Sequence, residues 1–187
     1  MRLILLGAPG SGKGTQAAAL ADHFGVPHIS SGELLRRQVA AATEVGREVA
    51  SLLERGELAP DRLVVAVVDE ALAHADRSYI LEGFPRTVSQ AREAAARHGA
   101  RFADAVVFLH VPDDVARQRL AWRTSDGRVD DRDPDVIERR LRRFHADTEP
   151  LVDYYRGRNL LVTVDDTPPP PAVTRAVLAA LAATTQS

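Results

Sequence analysis

Apolar residues occur in short unbroken runs, separated by stretches where they recur every third or fourth position. The runs are Arg2–Leu6, Val26–Ile29, Ser78–Leu81, Ala105–Val111 and Leu160–Val164. Runs without polar alternation fit strands buried on both faces, as in a parallel sheet covered by helices. Between the runs the period lengthens: Gln16 to Phe24 is helix-compatible, and Ile137, Leu141, Phe144, Thr148 and Leu151 mark one face of a later helix. Asp133-Pro134 supplies the N-cap and first-turn proline of that helix, and Pro150 predicts an end or a kink near Thr148. Five strand–helix units predict an α/β fold: a doubly wound five-stranded parallel sheet with helices on both faces. Ligands are then expected at the carboxyl ends of the strands.

Two segments break this alternation. Ser30 to Pro60 carries two short helical patterns, Glu33–Ala41 and Val45–Glu54, with no strand of its own. Arg123 to Asp133 is polar, rich in Arg and Asp, and nearly free of apolar side chains. Both follow strand–helix transitions where ligand sites lie, so they read as lids. The expected division is a core of 1–29, 60–122 and 134–187, with insertions at 30–59 and 123–133. Pro168 to Pro171 reads as a stiff connector into the last helix.

At 187 residues the chain fits one domain with small insertions, and its 45% apolar and 27% charged content is ordinary for a globular protein. A net charge of −2 gives no general attraction to nucleic acid or to an anionic membrane, so any polyanion site must be local. The lack of cysteine fits a reducing compartment, and Leu3–Leu6 is too short for a signal or a membrane span. The expectation is a cytoplasmic protein.

The candidate chemistry begins at GAPGSGKGT, Gly7 to Thr15, between the first apolar run and the first helix. Strand, glycine-rich turn and helix are the setting in which such a loop binds phosphate. Main-chain N–H groups of the turn and the positive end of the helix face one anion. Of the 24 basic residues 23 are Arg, and the single Lys in the chain is Lys13. A compact, mobile ammonium follows a phosphoryl group in a way a planar guanidinium cannot. The general pattern puts a hydroxyl next to that lysine; here Gly14 intervenes and the hydroxyl is Thr15.

Further segments follow in order: HISSGELLR (His28–Arg36), GELAPD (Gly56–Asp61), GFPRTVSQA (Gly83–Ala91), GRVDD (Gly127–Asp131) and TEPLVDYY (Thr148–Tyr155). With the phosphate loop they resemble the adenylate kinase family in its short-lid form, over essentially the whole chain. The resemblance implies transfer of the terminal phosphoryl group of ATP to AMP, with Mg²⁺, no structural zinc, and a monomer whose partners are ATP, AMP and ADP. It makes 30–59 the AMP-binding insertion and 123–133 the lid.

The physical reading agrees, because two polyanions held end to end repel and need rigid, permanently charged cations around them. By resemblance Arg36 and Arg86 clamp the AMP phosphate, Arg119 and Arg123 take the donor triphosphate, and Arg128 and Arg140 close on the transferring group. Lys13, Arg86, Arg123, Arg128 and Arg140 are the implied catalytic set. Gly10, Ser11, Gly12, Gly14, Thr15 and Pro168 complete the ATP side. Ser31, Glu57, Leu58, Ala59, Gly83, Phe84, Pro85 and Gln90 complete the AMP side, together with Arg36, Arg86, Arg128 and Arg140. Arg139, Arg142 and Arg143 are assigned to the solvated surface, and four residues separate Arg123 from Arg128, one fewer than in some relatives.

Ser31 and Gln90 fit an adenine; relatives that prefer UMP or CMP resemble Ala and Asn at these positions. Thr15 and Glu82 are the implied Mg²⁺ holders through water, Glu82 standing where the family has Asp. Asp130 and Asp131 read as Arg-orienting groups of the lid hinge, because transfer between phosphates needs no protein nucleophile. The six histidines show no metal spacing, and His28 reads as a strand-end residue. The alternatives are a UMP/CMP kinase, a P-loop ATPase or binding module that uses hydrolysis as a switch, and an inactive scaffold.

Overall fold

The computed structural model describes residues 1–75, 77–99, 102–122 and 133–184. Strands β1 (Arg2–Gly7), β2 (His28–Ser30), β3 (Tyr79–Glu82), β4 (Ala105–His110) and β5 (Leu161–Asp165) form one sheet in the order β2-β3-β1-β4-β5. Every neighbouring pair is parallel. Along β1, Ile4 and Leu6 enter one core while Leu3 and Leu5 enter the other; β4 divides the same way, Val106 and Phe108 against Val107 and Leu109. Both faces are therefore covered, which is why these runs lack polar alternation. Leu3, Ile4 and Leu5 are at most 1% exposed, and each such side chain contributes about 1.5–3 kcal/mol.

Edge strand β5 departs from that expectation: Val162 and Val164 are buried but Thr163 and Asp165 are exposed. Strand β2 is three residues long and begins at His28 rather than Val26.

The helices are α1 (Lys13–Phe24), α2 (Ser31–Ala40), α3 (Glu44–Glu54), α4 (Asp61–Ala73), α5 (Val88–His98), α6 (Asp113–Trp122), α7 (Pro134–Arg143), α8 (Pro150–Arg156) and α9 (Pro170–Thr184). Side-chain caps fix several of their starts. Ser30 Oγ accepts from Glu33 N at 3.4 Å, Thr43 Oγ1 from Gly46 N at 3.0 Å, Thr87 Oγ1 from Gln90 N at 3.1 Å, and Asp133 Oδ1 from Asp135 N at 2.8 Å.

Two helix expectations need correction. α1 starts at Lys13, three residues before the apolar pattern does, because its first turn belongs to the phosphate loop. α9 takes in Pro170 and Pro171, so only Pro168 and Pro169 connect; proline at a first turn loses no hydrogen bond.

Ahead of Pro150 the α-helical ladder is interrupted, as expected, but no gap is left. Between α7 and α8 the chain makes a π-helical turn, Phe144–Thr148, in which Glu149 N donates to Phe144 O at 2.8 Å. The widened turn accommodates a residue that has no N–H and would press on the carbonyl four residues back. Leu141, Phe144, Leu151, Val152 and Tyr155 all remain in one core. On the surface, Arg117 lies 3.8 Å from Asp113, but its close partner is Glu138 of α7.

Candidate active site

The loop between β1 and α1 carries its glycines where side chains cannot go. Gly12 caps α1 at φ 72°, and a Cβ there would stand 2.8 Å from Asp166 Oδ2. Lys13 Nζ donates to Gly7 O at 2.8 Å and Ala8 O at 2.7 Å, and lies 3.4 Å from Ser11 Oγ. The ammonium is held over the loop, and no acidic residue stands in the first turn of α1. Loop and helix end together are an anion site.

One cleft runs from this loop to a wall built by α2, the α3–α4 connection, the turn after β3, and α7. Gly10, Ser11, Gly12, Lys13 and Gly14 line its near side; Ser31, Arg36, Glu57, Leu58, Ala59, Gly83, Pro85, Arg86, Gln90 and Arg140 line the far side. Arg36 Nη1 and Arg86 Nη2 lie 3.3 and 3.9 Å from the point a Cβ on Gly32 would occupy. Two guanidinium groups thus meet over the N-terminal turn of α2, a second anion cradle facing the first. Arg86 is held there by Nε, which donates to Gly83 O at 2.8 Å. Arg140 reaches in from α7, its Cγ 2.9 Å from where a Cβ on Gly56 would be.

The base-sized end of the far wall is polar and buried. Ser31 and Gln90 are each 1% exposed. Gly83, at φ 78°, lets the turn pass Ser31: a Cβ there would be 2.7 Å from Ser31 Oγ. Gln90 Nε2 donates to Asp61 Oδ1 at 2.6 Å, and Gln90 Oε1 accepts from Arg86 N at 2.7 Å. One amide N–H and one carbonyl lone pair stay available, side by side, which is what a purine edge requires.

Glu82 ends β3 on the cleft floor. His28 Nε2 and Glu82 Oε2 are 3.1 Å apart, and the carboxylate oxygens lie 3.7 and 4.0 Å from a Cβ built on Gly14. A carboxylate set against the start of the phosphate loop fits Mg²⁺ held through water, the habit of an ion that keeps much of its hydration. Thr15 is exposed and does not line the cleft.

Other expected residues lie elsewhere. Phe84 is 2% exposed and packs in the core behind the turn. Arg119 lies beyond the phosphate loop, where Nη1 donates to Asp166 Oδ2 at 2.5 Å and Nη2 to Asp166 O at 2.6 Å; Pro168 follows two residues on. Arg123, Arg128, Asp130 and Asp131 fall outside the described residues.

The surface assignment of Arg139 and Arg143 is corrected. Arg143 lines the cleft, and Arg139 Nε is buried with no hydrogen-bond partner among the described residues. The carboxyl of Glu57 is lowered below its ordinary range first by a hydrogen bond from Arg55, then by Arg143 and Arg139. Only Arg142 of the three is exposed. Spacing alone does not decide it: Arg140 and Arg143 share a helix face three positions apart, but so do Arg139 and the exposed Arg142.

Asp166 was also missed. It is 3% exposed, its carboxyl raised by burial against the opposing pull of Arg119. Nothing in the run Val164-Asp165-Asp166-Thr167 tells which aspartate turns inward.

The family model described as "Adenylate kinase" matches residues 5–160. The chain is 40% identical over 189 residues to "Adenylate kinase" of Xylella fastidiosa (strain M12), covering 97% of this chain and 99% of that protein. It is 44% identical over 184 residues to "Adenylate kinase 1" of Nostoc sp. (strain PCC 7120 / SAG 25.82 / UTEX 2576), covering 96% and 98%. To "Adenylate kinase" of Methylobacterium nodulans (strain LMG 21967 / CNCM I-2342 / ORS 2060) it is 41% identical over 188 residues, covering 95% and 94%.

Proposed function

The chain belongs to the adenylate kinase family and is a nucleoside monophosphate kinase, and from that premise we propose how its residues share the work. The reaction is ATP + AMP ⇌ 2 ADP. One observation carries the reading: a single cleft holds two anion cradles, Lys13 with the start of α1 on one wall and Arg36 with Arg86 on the other.

Two like charges about 4 Å apart repel by about 4 kcal/mol at an effective dielectric of about 20. Arg36 and Arg86 take the AMP phosphate; the loop Gly10–Thr15 with Lys13 takes the phosphates of ATP, and Arg119, Arg123 and Pro168 serve the donor. Arg128 and Arg140 settle on the group in transit, where a single arginine in related P-loop enzymes contributes about 10³–10⁵ in rate. Ser31 and Gln90 read the adenine of AMP, with Glu57, Leu58, Ala59, Gly83 and Pro85 shaping the pocket and Phe84 backing it. The pyrimidine monophosphates are not favoured, because relatives that prefer them resemble Ala and Asn where this chain has Ser31 and Gln90.

Bound Mg²⁺ supplies charge neutralisation on the donor phosphates, and Glu82, on the cleft floor, would hold it through water. The longer Glu82 side chain is supported in the cleft by His28.

Insertions 30–59 and 123–133 are the parts that move over the two nucleotides, excluding water that would otherwise accept the phosphoryl group. We further propose a cytoplasmic monomer acting on small molecules, with no nucleic-acid or membrane partner. The absence of cysteine and the near-neutral charge support this, and no helix among the described residues is long and apolar enough to cross a membrane.

The test is phosphoryl transfer from ATP measured across AMP, CMP, UMP and GMP. Rapid transfer to AMP alone is expected, and a mimic joining two adenosines through five phosphates should compete with both substrates. ATP hydrolysis that needs no monophosphate would overturn the reading.

A further inference from the structure

Trp122 is the single tryptophan of the chain, and its side chain is 75% exposed. Among the described residues the other exposed large apolar side chain is Met1, at 41%. A tryptophan is normally among the most heavily covered residues, and nothing about the end of a helix calls for one in water.

Its neighbourhood is specific. Trp122 is the last residue of α6, and Arg119 stands three positions earlier, so the two side chains rise from one face of the helix. The guanidinium of Arg119 is fixed in plane by its two bonds to Asp166. Asp166 in turn abuts Gly12 of the phosphate loop. A flat cation with a set orientation and a large exposed π surface therefore lie one turn apart, beside the anion site.

We propose that Trp122 is a stacking platform for the base of the donor nucleoside triphosphate, a specificity residue toward purine donors. The proposal rests on the donor-side reading of Arg119. Phosphates gripped by the loop leave the nucleoside outside it, and an aromatic face binds a base whatever its hydrogen-bonding edge, with strength that grows with ring area. A purine with two fused rings therefore gains more from an indole than a pyrimidine does. Arg119 adds a second flat surface that stacks on π systems.

Because the chain has one tryptophan, its intrinsic fluorescence reports the contact directly. Titration with ATP should quench it saturably, with a midpoint that follows the KM for ATP. Inorganic tripolyphosphate, which fills the phosphate site without a base, should inhibit the reaction yet leave the emission near its starting value. AMP alone should also leave it unchanged. Quenching by tripolyphosphate equal to that by ATP, or no quenching by saturating ATP, would overturn the proposal.

The kinetic arm uses Trp122→Ala and Trp122→Phe. The alanine variant should raise the KM for ATP about five-fold or more, move the KM for AMP less than two-fold, and narrow the preference for ATP over UTP as donor. Phenylalanine should recover most of that loss. Arg119→Ala separates the two readings. If it raises the KM for ATP while Trp122→Ala does not, the stacking proposal alone falls; if neither variant moves it, the donor-side reading falls as well.

Discussion

Gln90 Nε2 donates to Asp61 Oδ1 at 2.6 Å, so the amide proposed to read the AMP base is aimed by a carboxylate at the start of α4. Removing the carboxylate frees the amide to rotate and to lose its purine-reading orientation. Asp61→Ala should raise the KM for AMP by about two- to ten-fold, the worth of one hydrogen bond, with the KM for ATP unmoved. Steady-state kinetics with each substrate varied in turn decide it.

Arg143 and Glu57 both line the cleft, and the positive charge of Arg143 adds to that of Arg55 in lowering the Glu57 carboxyl, whereas Arg142 is exposed. Arg143→Ala should raise the KM for AMP by about two- to five-fold at low ionic strength, as expected for one partly screened charge. The effect should shrink in high salt, where the Debye length falls below about 10 Å. Arg142→Ala should be indistinguishable from the parent protein in the same assay.

At Gly12 the backbone is left-handed and Asp166 fills the space a Cβ would need. Gly12→Ala must bear about 1–2 kcal/mol of backbone strain and displace Asp166 from Arg119. The expected result is a loss of more than ten-fold in kcat/KM for ATP, with a smaller change in the KM for AMP. Thermal melting should show the protein still folded, with a Tm lower by a few degrees.

Glu82 reaches His28 because it has one methylene more than aspartate. Glu82→Asp should withdraw the carboxylate from His28 and shift the Mg²⁺ concentration that gives half-maximal turnover. An unchanged Mg²⁺ profile would remove Glu82 from the metal's surroundings.

His145 lies 2.9 Å from Glu149 and 3.0 Å from Asp113, and its pKa is raised above 6.5, first by Glu149 and then by Asp113. A raised folded pKa means the contribution to stability is complete below the unfolded value and disappears as pH rises through the folded one. The imidazole is 42% exposed, so screening limits the effect to about 1 kcal/mol or less. Melting followed upward from pH 6 should show a fall of a few degrees that His145→Gln lacks.

The sheet was legible because both of its faces are covered, so β1, β3 and β4 appear in the sequence as unbroken apolar runs. The edge strand β5 looked the same at the level of composition, yet Thr163 turns to water, and only neighbours determine that. In the site, the residues proposed to hold phosphate were readable from glycine spacing and from the single lysine, and Gly10 to Gly14 line one wall of the cleft. The residues that aim them were not. Asp61, Asp166 and His28 act from positions distant in sequence, and no local pattern marks a carboxylate that will bond an amide 29 residues on. Arg143 was lost for the opposite reason: four arginines in five positions from Arg139 to Arg143 look alike until the helix is rotated against its neighbours.

The π-helical turn at Phe144–Thr148 has a consequence for how this stretch tolerates length changes. A π-turn holds one residue more than an α-turn, so deleting one residue here would let α7 run on into α8 as ordinary helix, with Pro150 then pressed against the carbonyl four residues back. Inserting one residue would instead swing α8 by about 100° relative to α7 and turn Leu151 and Tyr155 away from the core they share with Leu141. The stretch is therefore slack already taken up: the arginine-bearing helix and the next one stay packed on one core across a proline, and one further residue would break that phase.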